Sequence, residues 1–199
     1  MLDARLRPAI DAILNPIGAS LHRRGVTATQ VTSIGFGLGI GAAVAVASGA
    51  FTWAIVLIAL NRICDGLDGA VARQAGPTDF GGYLDIVLDF IFYSTIPFAF
   101  CLYAPENGQA SAFLILSFIG TGVSFLAYAI VAEKRGISTE IRGKKSFYYL
   151  GGLTEGAETI IFLFVVCFWP AHFAYFAWGF GALCWVTTTT RIHAAASLH

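Results

Sequence analysis

Apolar residues fill this chain in six long blocks separated by short polar or glycine-containing breaks, each approaching the ~20 residues a helix needs to cross the hydrocarbon core of a bilayer. The blocks predict helices over residues 29–48, 52–73, 82–103, 110–132, 149–169 and 172–191. Gly49 and Ala50, residues 74–80, residues 104–109 with Pro105 and Gly108, the basic stretch 133–146, and Pro170 with Ala171 make the turns. Ahead of the blocks, Leu6, Ile10, Ile13, Leu14, Ile17 and Leu21 recur at spacings of three and four among Arg5, Arg7, Asp11, Arg23 and Arg24. That periodicity predicts an amphipathic helix lying along the membrane surface, or a packing helix with one solvated face. Pro8 suits a first turn, whereas Pro16 predicts a kink or a split. The expected fold class is all-α: a polytopic integral membrane protein of six transmembrane helices preceded by an N-terminal amphipathic surface helix. Residues 1–24 would form the juxtamembrane helix and residues 25–199 the transmembrane domain.

Composition agrees with that pattern. Hydrophobic residues make up 57% of the chain and aromatic ones 14%, and the mean hydropathy is +0.73, more than a soluble domain carries. The formal net charge of zero says nothing about partners by itself, and no nucleic-acid partner is expected. Charge distribution is more informative. With six spans, Arg5, Arg7, Arg23, Arg24, Arg73, Lys134, Arg135, Arg142, Lys144, Lys145 and Arg191 all fall on or beside one face, and Arg62 lies inside the second block. The positive-inside rule makes that face cytoplasmic. The connections on the far side are short, so chemistry is expected within the bundle or at its cytoplasmic mouth. Cys64, Cys101, Cys167 and Cys184 stand singly in apolar runs and read as buried free thiols. The opening residues lack the pattern of a cleavable signal peptide. Gly35, Gly37, Gly39 and Gly41 form two overlapping G-x-x-x-G spacings, which predict close helix packing.

One stretch departs from the apolar pattern. Residues 65–89 read DGLDGAVARQAGPTDFGGYLDIVLD, in a chain where only 12% of residues are charged. A carboxylate at mid-membrane costs ~2.5 to 3.5 kcal/mol on insertion scales, so such groups face a cavity, an ion or a partner. Asp65 and Asp68 are three apart near the end of one predicted helix, and Asp85 and Asp89 four apart early in the next, so each pair shares a face. Antiparallel neighbours joined by a short loop would let the pairs converge. Four oxygen donors without His or Cys suit a hard divalent cation such as Mg²⁺, Mn²⁺ or Ca²⁺ rather than Zn²⁺. Two ions would offset most of the charge and could clamp both oxygens of a phosphoryl displacement. Gly69 and Ala72 leave a small-residue surface beside Asp68, Arg73 offers a fork for phosphate, and Gly81 and Gly82 allow close backbone approach. Two other readings compete. Interhelical salt bridges from Arg62 or Arg73 would explain two of the acids, and a divalent-cation transport protein would use the cluster as an ion site.

At these residues the chain resembles the CDP-alcohol phosphotransferase family, whose signature is D-x-x-D-G-x-x-A-R, a gap of seven or eight residues, then G-x-x-x-D-x-x-x-D. Asp65, Asp68, Gly69, Ala72, Arg73, Gly81, Asp85 and Asp89 supply every fixed position. The resemblance implies a transferase moving a substituted phosphate from a CDP-linked donor, typically CDP-diacylglycerol, to an alcohol, with release of CMP. It further implies Asp65, Asp68, Asp85 and Asp89 around two Mg²⁺ or Mn²⁺ ions, with Asp89 also the general base. Asp68, Gly69, Ala72, Arg73 and Gly81 would line the CDP pocket, and the protein would be a homodimer. The usual T-P-N-x-x-T start of the first span reads TATQVT here: Thr27 and Thr32 match, while Ala28 and Thr29 replace Pro-Asn. The segment KSFYYLGGLTEGAET, residues 145–159, resembles an uncharacterised bacterial branch of the family, which points to the bacterial inner membrane. The acceptor is a small polar alcohol whose candidate ligands outside the signature are Lys144, Lys145, Glu155 and Glu158. Lysines suit a phosphorylated acceptor; glutamates suit an amino alcohol or a polyol, or simply stabilise a helix N-terminus. Phe90, where relatives using phosphorylated acceptors carry Lys or Arg, favours an acceptor without phosphate.

Overall fold

The computed structural model describes residues 2–135 and 152–196, and every regular element among them is helical. Seven α-helices follow one another: α1 Leu2–Arg23, α2 Ala28–Ala47, α3 Phe51–Ala75, α4 Asp79–Tyr103, α5 Gly108–Lys134, α6 Gly156–Phe168 and α7 Phe173–Ala196. Short 3₁₀ turns at Pro105–Asn107 and Pro170–His172 introduce α5 and α7. The predicted span boundaries fall within a few residues of α2 to α5 and α7. α6 differs, beginning at Gly156 rather than near residue 149. Glu155 therefore caps that helix from outside it. Lys144 and Lys145 lie outside the described residues.

Local chemistry explains the ends. Thr27 caps α2 through a reciprocal box with Gln30, its hydroxyl accepting from the Gln30 amide and Gln30 accepting from the Thr27 amide. Gly76 ends α3 at φ +90°, a conformation favouring glycine, and Thr78 then caps α4 by accepting from the Gly81 amide. A Cβ on Gly81 would lie 2.9 Å from that Thr78 hydroxyl oxygen, so a glycine there leaves room for the cap. α1 continues through both prolines, contrary to a split at Pro16. Pro16 and Ala12 are exposed, so the Ala12 carbonyl that loses its helical partner can be solvated.

α2, α4 and the stretch Pro105–Lys134 through α5 are each long and apolar enough to cross a membrane. The α6–α7 pair meets that standard jointly, bent by 112° at its break. α3 is long enough but carries Arg62, Asp65 and Asp68 along its length. α6 has 13 residues, or ~20 Å at 1.5 Å per residue.

α2 packs against both α3 and α4, α1 lies along α3, α5 pairs with α7, and α6 packs on α3. The apolar core runs through Val46, Ile58, Phe92, Ile96, Phe100, Leu114, Leu163 and Phe173. Phe100 and Phe173 stack at 4.2 Å between ring centroids. The glycines of α2 divide by face. A Cβ on Gly35 would lie 2.8 Å from that of Cys64, and one on Gly39 2.6 Å from a Phe92 ring carbon, while one on Gly37 would meet nothing. One G-x-x-x-G pair thus brings α2 tight against α3 and α4; in the other, Gly37 faces open space and a Cβ on Gly41 would make only ordinary contact with Leu57 at 3.6 Å.

Candidate active site at the mouth of α3 and α4

Because α2 holds both α3 and α4, a cleft lies between those two helices, bridged by side chains. Asp65 and Asp68 sit one turn apart on α3, and Asp85 and Asp89 one turn apart on α4. Asp65, Asp85 and Asp89 can each direct one oxygen so that all three lie within 4.8 Å of one another, the one such group among the described residues. Asp68 is not part of that group. It is buried and accepts a 2.6 Å hydrogen bond from the Thr32 hydroxyl on α2. A small cavity of about 20 Å³ joins these groups, lined by all four aspartates together with Thr32, Asn61 and Arg62. The donor set, three carboxylates with no His or Cys, fits a hard divalent cation.

Of the interhelical ion pairs considered from the sequence, the one from Arg62 to the acid cluster is present, whereas Arg73 pairs with Asp11 on α1, outside the cluster. Arg62 Nη2 donates to Asp89 Oδ1 at 2.8 Å and Nη1 lies 3.5 Å from Asp65 Oδ2. Arg73 Nη2 donates to Asp11 Oδ1 at 2.9 Å, and Nη2 and Nε also reach Asn15 Oδ1 at 2.8 and 3.2 Å. Arg73 is half-exposed and borders α1. Gly69 and Ala72 are half-buried on the same helix, and a Cβ on Gly69 would meet only Arg73, at 3.4 Å. Gly81 stands in the first turn of α4.

Tyr93 escaped the sequence reading. Its hydroxyl donates to Asp89 Oδ2 at 3.2 Å and accepts from Arg62 Nη1 at 3.2 Å. The available signal was its position one turn beyond Asp89. Arg62, three residues before Asp65, showed the same one-turn spacing.

Tyr93 and Phe90 also line a second cavity of about 160 Å³, with Phe118, Thr121, Phe125, Thr154, Glu155 and Arg191. Glu155 is buried and accepts from the Gly152 amide at 2.9 Å, while Glu158 accepts from the Glu155 amide at 3.1 Å. The pair forms a capping box at α6, the helix-stabilising role considered for them from the sequence. Arg191, also buried, donates to the Thr121 carbonyl at 2.9 Å.

A bundle of long apolar helices with a carboxylate cluster at one cleft defines a membrane protein with a candidate site for a divalent cation. The chain belongs to the CDP-alcohol phosphatidyltransferase family, whose pattern matches residues 26–190. It is therefore a membrane transferase of phospholipid biosynthesis, which sets aside the cation-carrier reading. It is 51% identical over 193 residues to the Escherichia coli inner membrane protein YnjF, covering 96% of this chain and 94% of that one. It is 26% identical over 193 residues to archaetidylinositol phosphate synthase of Pyrococcus horikoshii, covering 96% and 95%. Its fold matches the crystal structure of Mycobacterium tuberculosis phosphatidylinositol phosphate synthase with CDP-DAG bound at a TM-score of 0.69 and 24% identity, over 92% of this chain and 94% of that one.

Proposed function

We propose that this enzyme transfers a phosphatidyl group from CDP-diacylglycerol to the hydroxyl of a small polar alcohol and releases CMP. The carrying observation is the convergence of Asp65, Asp85 and Asp89 within 4.8 Å inside a chain of this family. Asp65, Asp85 and Asp89 would hold Mg²⁺ or Mn²⁺, two ions in the full site, with Asp68 at its margin. Bound there, the cation would neutralise charge building on the pyrophosphate oxygens of the donor. Asp89 takes the proton from the acceptor hydroxyl. The freed oxygen forms a bond to the phosphatidyl phosphorus as the phosphorus–oxygen bond to CMP breaks, and CMP departs with that electron pair. Gly69, Ala72, Arg73 and Gly81 would border the CDP moiety, with Arg73 steadied by Asp11 and Asn15 on α1.

The same reading places the acceptor near the second cavity. Tyr93 lines that cavity while its hydroxyl touches Asp89, so an alcohol there would lie beside the base. Glu155 lines it too, and Glu158, Lys144 and Lys145 remain candidate acceptor contacts from the sequence. The 51% identity to an inner membrane protein supports placement in a bacterial inner membrane. In this reading the chain crosses six times, with α1 as a surface helix before a single transmembrane domain, and the basic residues that six spans would bring to one side support an acid cluster facing the cytoplasm. A homodimer is the expected assembly.

The test is incubation of the purified protein in lipid nanodiscs with CDP-diacylglycerol, Mg²⁺ and a panel of alcohols, reading CMP and the lipid product. Alcohol-dependent CMP release that disappears in chelator and returns with Mg²⁺ or Mn²⁺ is expected. Full turnover in excess chelator would remove the metal from the mechanism, and no CMP with any alcohol would remove the donor.

A further inference from the structure

Arg62 lies midway along α3, with only 15% of its side chain exposed, and each of its three nitrogens has a defined partner. Nε donates to Asn61 Oδ1 at 2.7 Å, Nη1 to the Tyr93 hydroxyl at 3.2 Å, and Nη2 to Asp89 Oδ1 at 2.8 Å. Its guanidinium carbon lies 4.9 Å from the centre of the Phe92 ring and 5.5 Å from that of Tyr93, within the range of cation–π attraction. Asn61 is anchored in turn, donating to the Gly35 carbonyl on α2 at 2.8 Å. Tyr93 completes the ring by donating to Asp89 Oδ2. Three helices thus fix one guanidinium against two of the three convergent carboxylates, Asp89 at 2.8 Å and Asp65 at 3.5 Å.

Two physical consequences follow. The planar fork makes directed contacts that a lysine ammonium could not reproduce together, so it fixes the orientation of the Asp89 carboxylate. Its charge is permanent, so the cluster always contains a monocation that repels any divalent ion arriving beside it. At an effective dielectric of about 20, one unit charge at a few ångströms still changes ion affinity by tenfold or more.

We propose that Arg62 is a positioning residue and the resident counter-charge of the acid cluster: it clamps Asp65 and Asp89 beside Asp85 and holds divalent-cation affinity below what the carboxylates alone would give. The cation remains exchangeable, and Asp89 keeps a fixed orientation toward the acceptor proton. This inference rests on the metal reading above.

The experiment titrates Mn²⁺ into the full-length protein in detergent and reads free Mn²⁺ by electron paramagnetic resonance, beside CMP release and thermal melting. Arg62→Gln is expected to bind Mn²⁺ about tenfold more tightly or better while CMP release falls at least about tenfold. Arg62→Lys should keep affinity within about threefold of wild type and still lose turnover, because charge survives without the fork. Equal or weaker Mn²⁺ binding by folded Arg62→Gln overturns the proposal, since a purely structural arginine would lower affinity and melting temperature together. Should Arg62→Gln fail to fold, the same comparison is made between Asp89→Asn and Arg62→Gln/Asp89→Asn, where tighter binding by the double variant supports it and equal or weaker binding overturns it. Wild-type protein that binds no Mn²⁺ overturns the metal reading itself, and this inference with it.

Discussion

Asp68 and Asp89 show how two aspartates of one signature come to different surroundings. Asp89 lies beside two other acids with Arg62 and Tyr93 on its oxygens; Asp68 is buried against a threonine hydroxyl at 2.6 Å. Asp89→Asn keeps the size of the side chain but cannot accept a proton as a base. Its CMP release should fall by roughly 10² to 10⁴ while the protein stays folded with a lowered melting temperature, because Arg62 loses its ion-pair partner; turnover within a factor of two of wild type would remove it as the base. Thr32→Val removes the donor to a buried carboxylate. It should cost about 1.5 to 3 kcal/mol, the worth of a hydrogen bond to a charged group, read as a lower unfolding midpoint in detergent. The threonine was visible in the sequence as a partial match to the family's first-span motif. That it reaches Asp68, 36 residues away, depends on how α2 and α3 pack.

At the scale of elements, α2 sets the geometry by allowing close approach. Gly35 and Gly39 face Cys64 and Phe92, and Asn61 ties its amide to the Gly35 carbonyl at that contact. Gly39→Ala would place a Cβ 2.6 Å from the Phe92 ring. Such overpacking should cost about 1 to 3 kcal/mol and disturb the neighbouring Arg62–Tyr93 network, lowering both the unfolding midpoint and CMP release. Gly37→Ala, facing open space, should leave both unchanged or raise stability slightly through better helix propensity. Equal effects from the two substitutions would refute the division of faces. The repeated glycine spacing was legible in the chain, but periodicity could not say which pair packs tightly against a neighbour, because both pairs lie on one helix and its rotation is set by the helices around it.

For the whole molecule, the charge pattern predicts which end faces the cytoplasm. In a variant with its native cysteines replaced, a cysteine at Gly76 should react with a membrane-impermeant maleimide only in inverted vesicles, and one at Glu106 only in right-side-out cells. The opposite labelling would reverse the orientation. Assembly into the bundle also joins α1 to the site through Arg73, Asp11 and Asn15. The Arg73–Asp11 pair is partly exposed, so Asp11→Asn should change stability by less than about 1 kcal/mol. If Arg73 borders the CDP moiety, the same change should raise the KM for the CDP donor more than it lowers kcat. An unchanged KM would separate α1 from donor binding.

The sequence by itself determined the all-helical class, the approximate place of each helix, and the family, because apolar run length and eight fixed signature positions are local properties of the chain. It also placed two pairs of acids on two helical faces, because helical spacing fixes which residues share a side. Only the tertiary structure decided that Asp65, Asp85 and Asp89 converge while Asp68 turns to Thr32. It decided likewise that Arg62 and Tyr93 grip Asp89, and that Glu155 and Glu158 cap α6 beside a second cavity. These outcomes depend on the rotation and separation of helices about α2. Such relations arise from contacts among residues distant in sequence, and no spacing along one helix contains them.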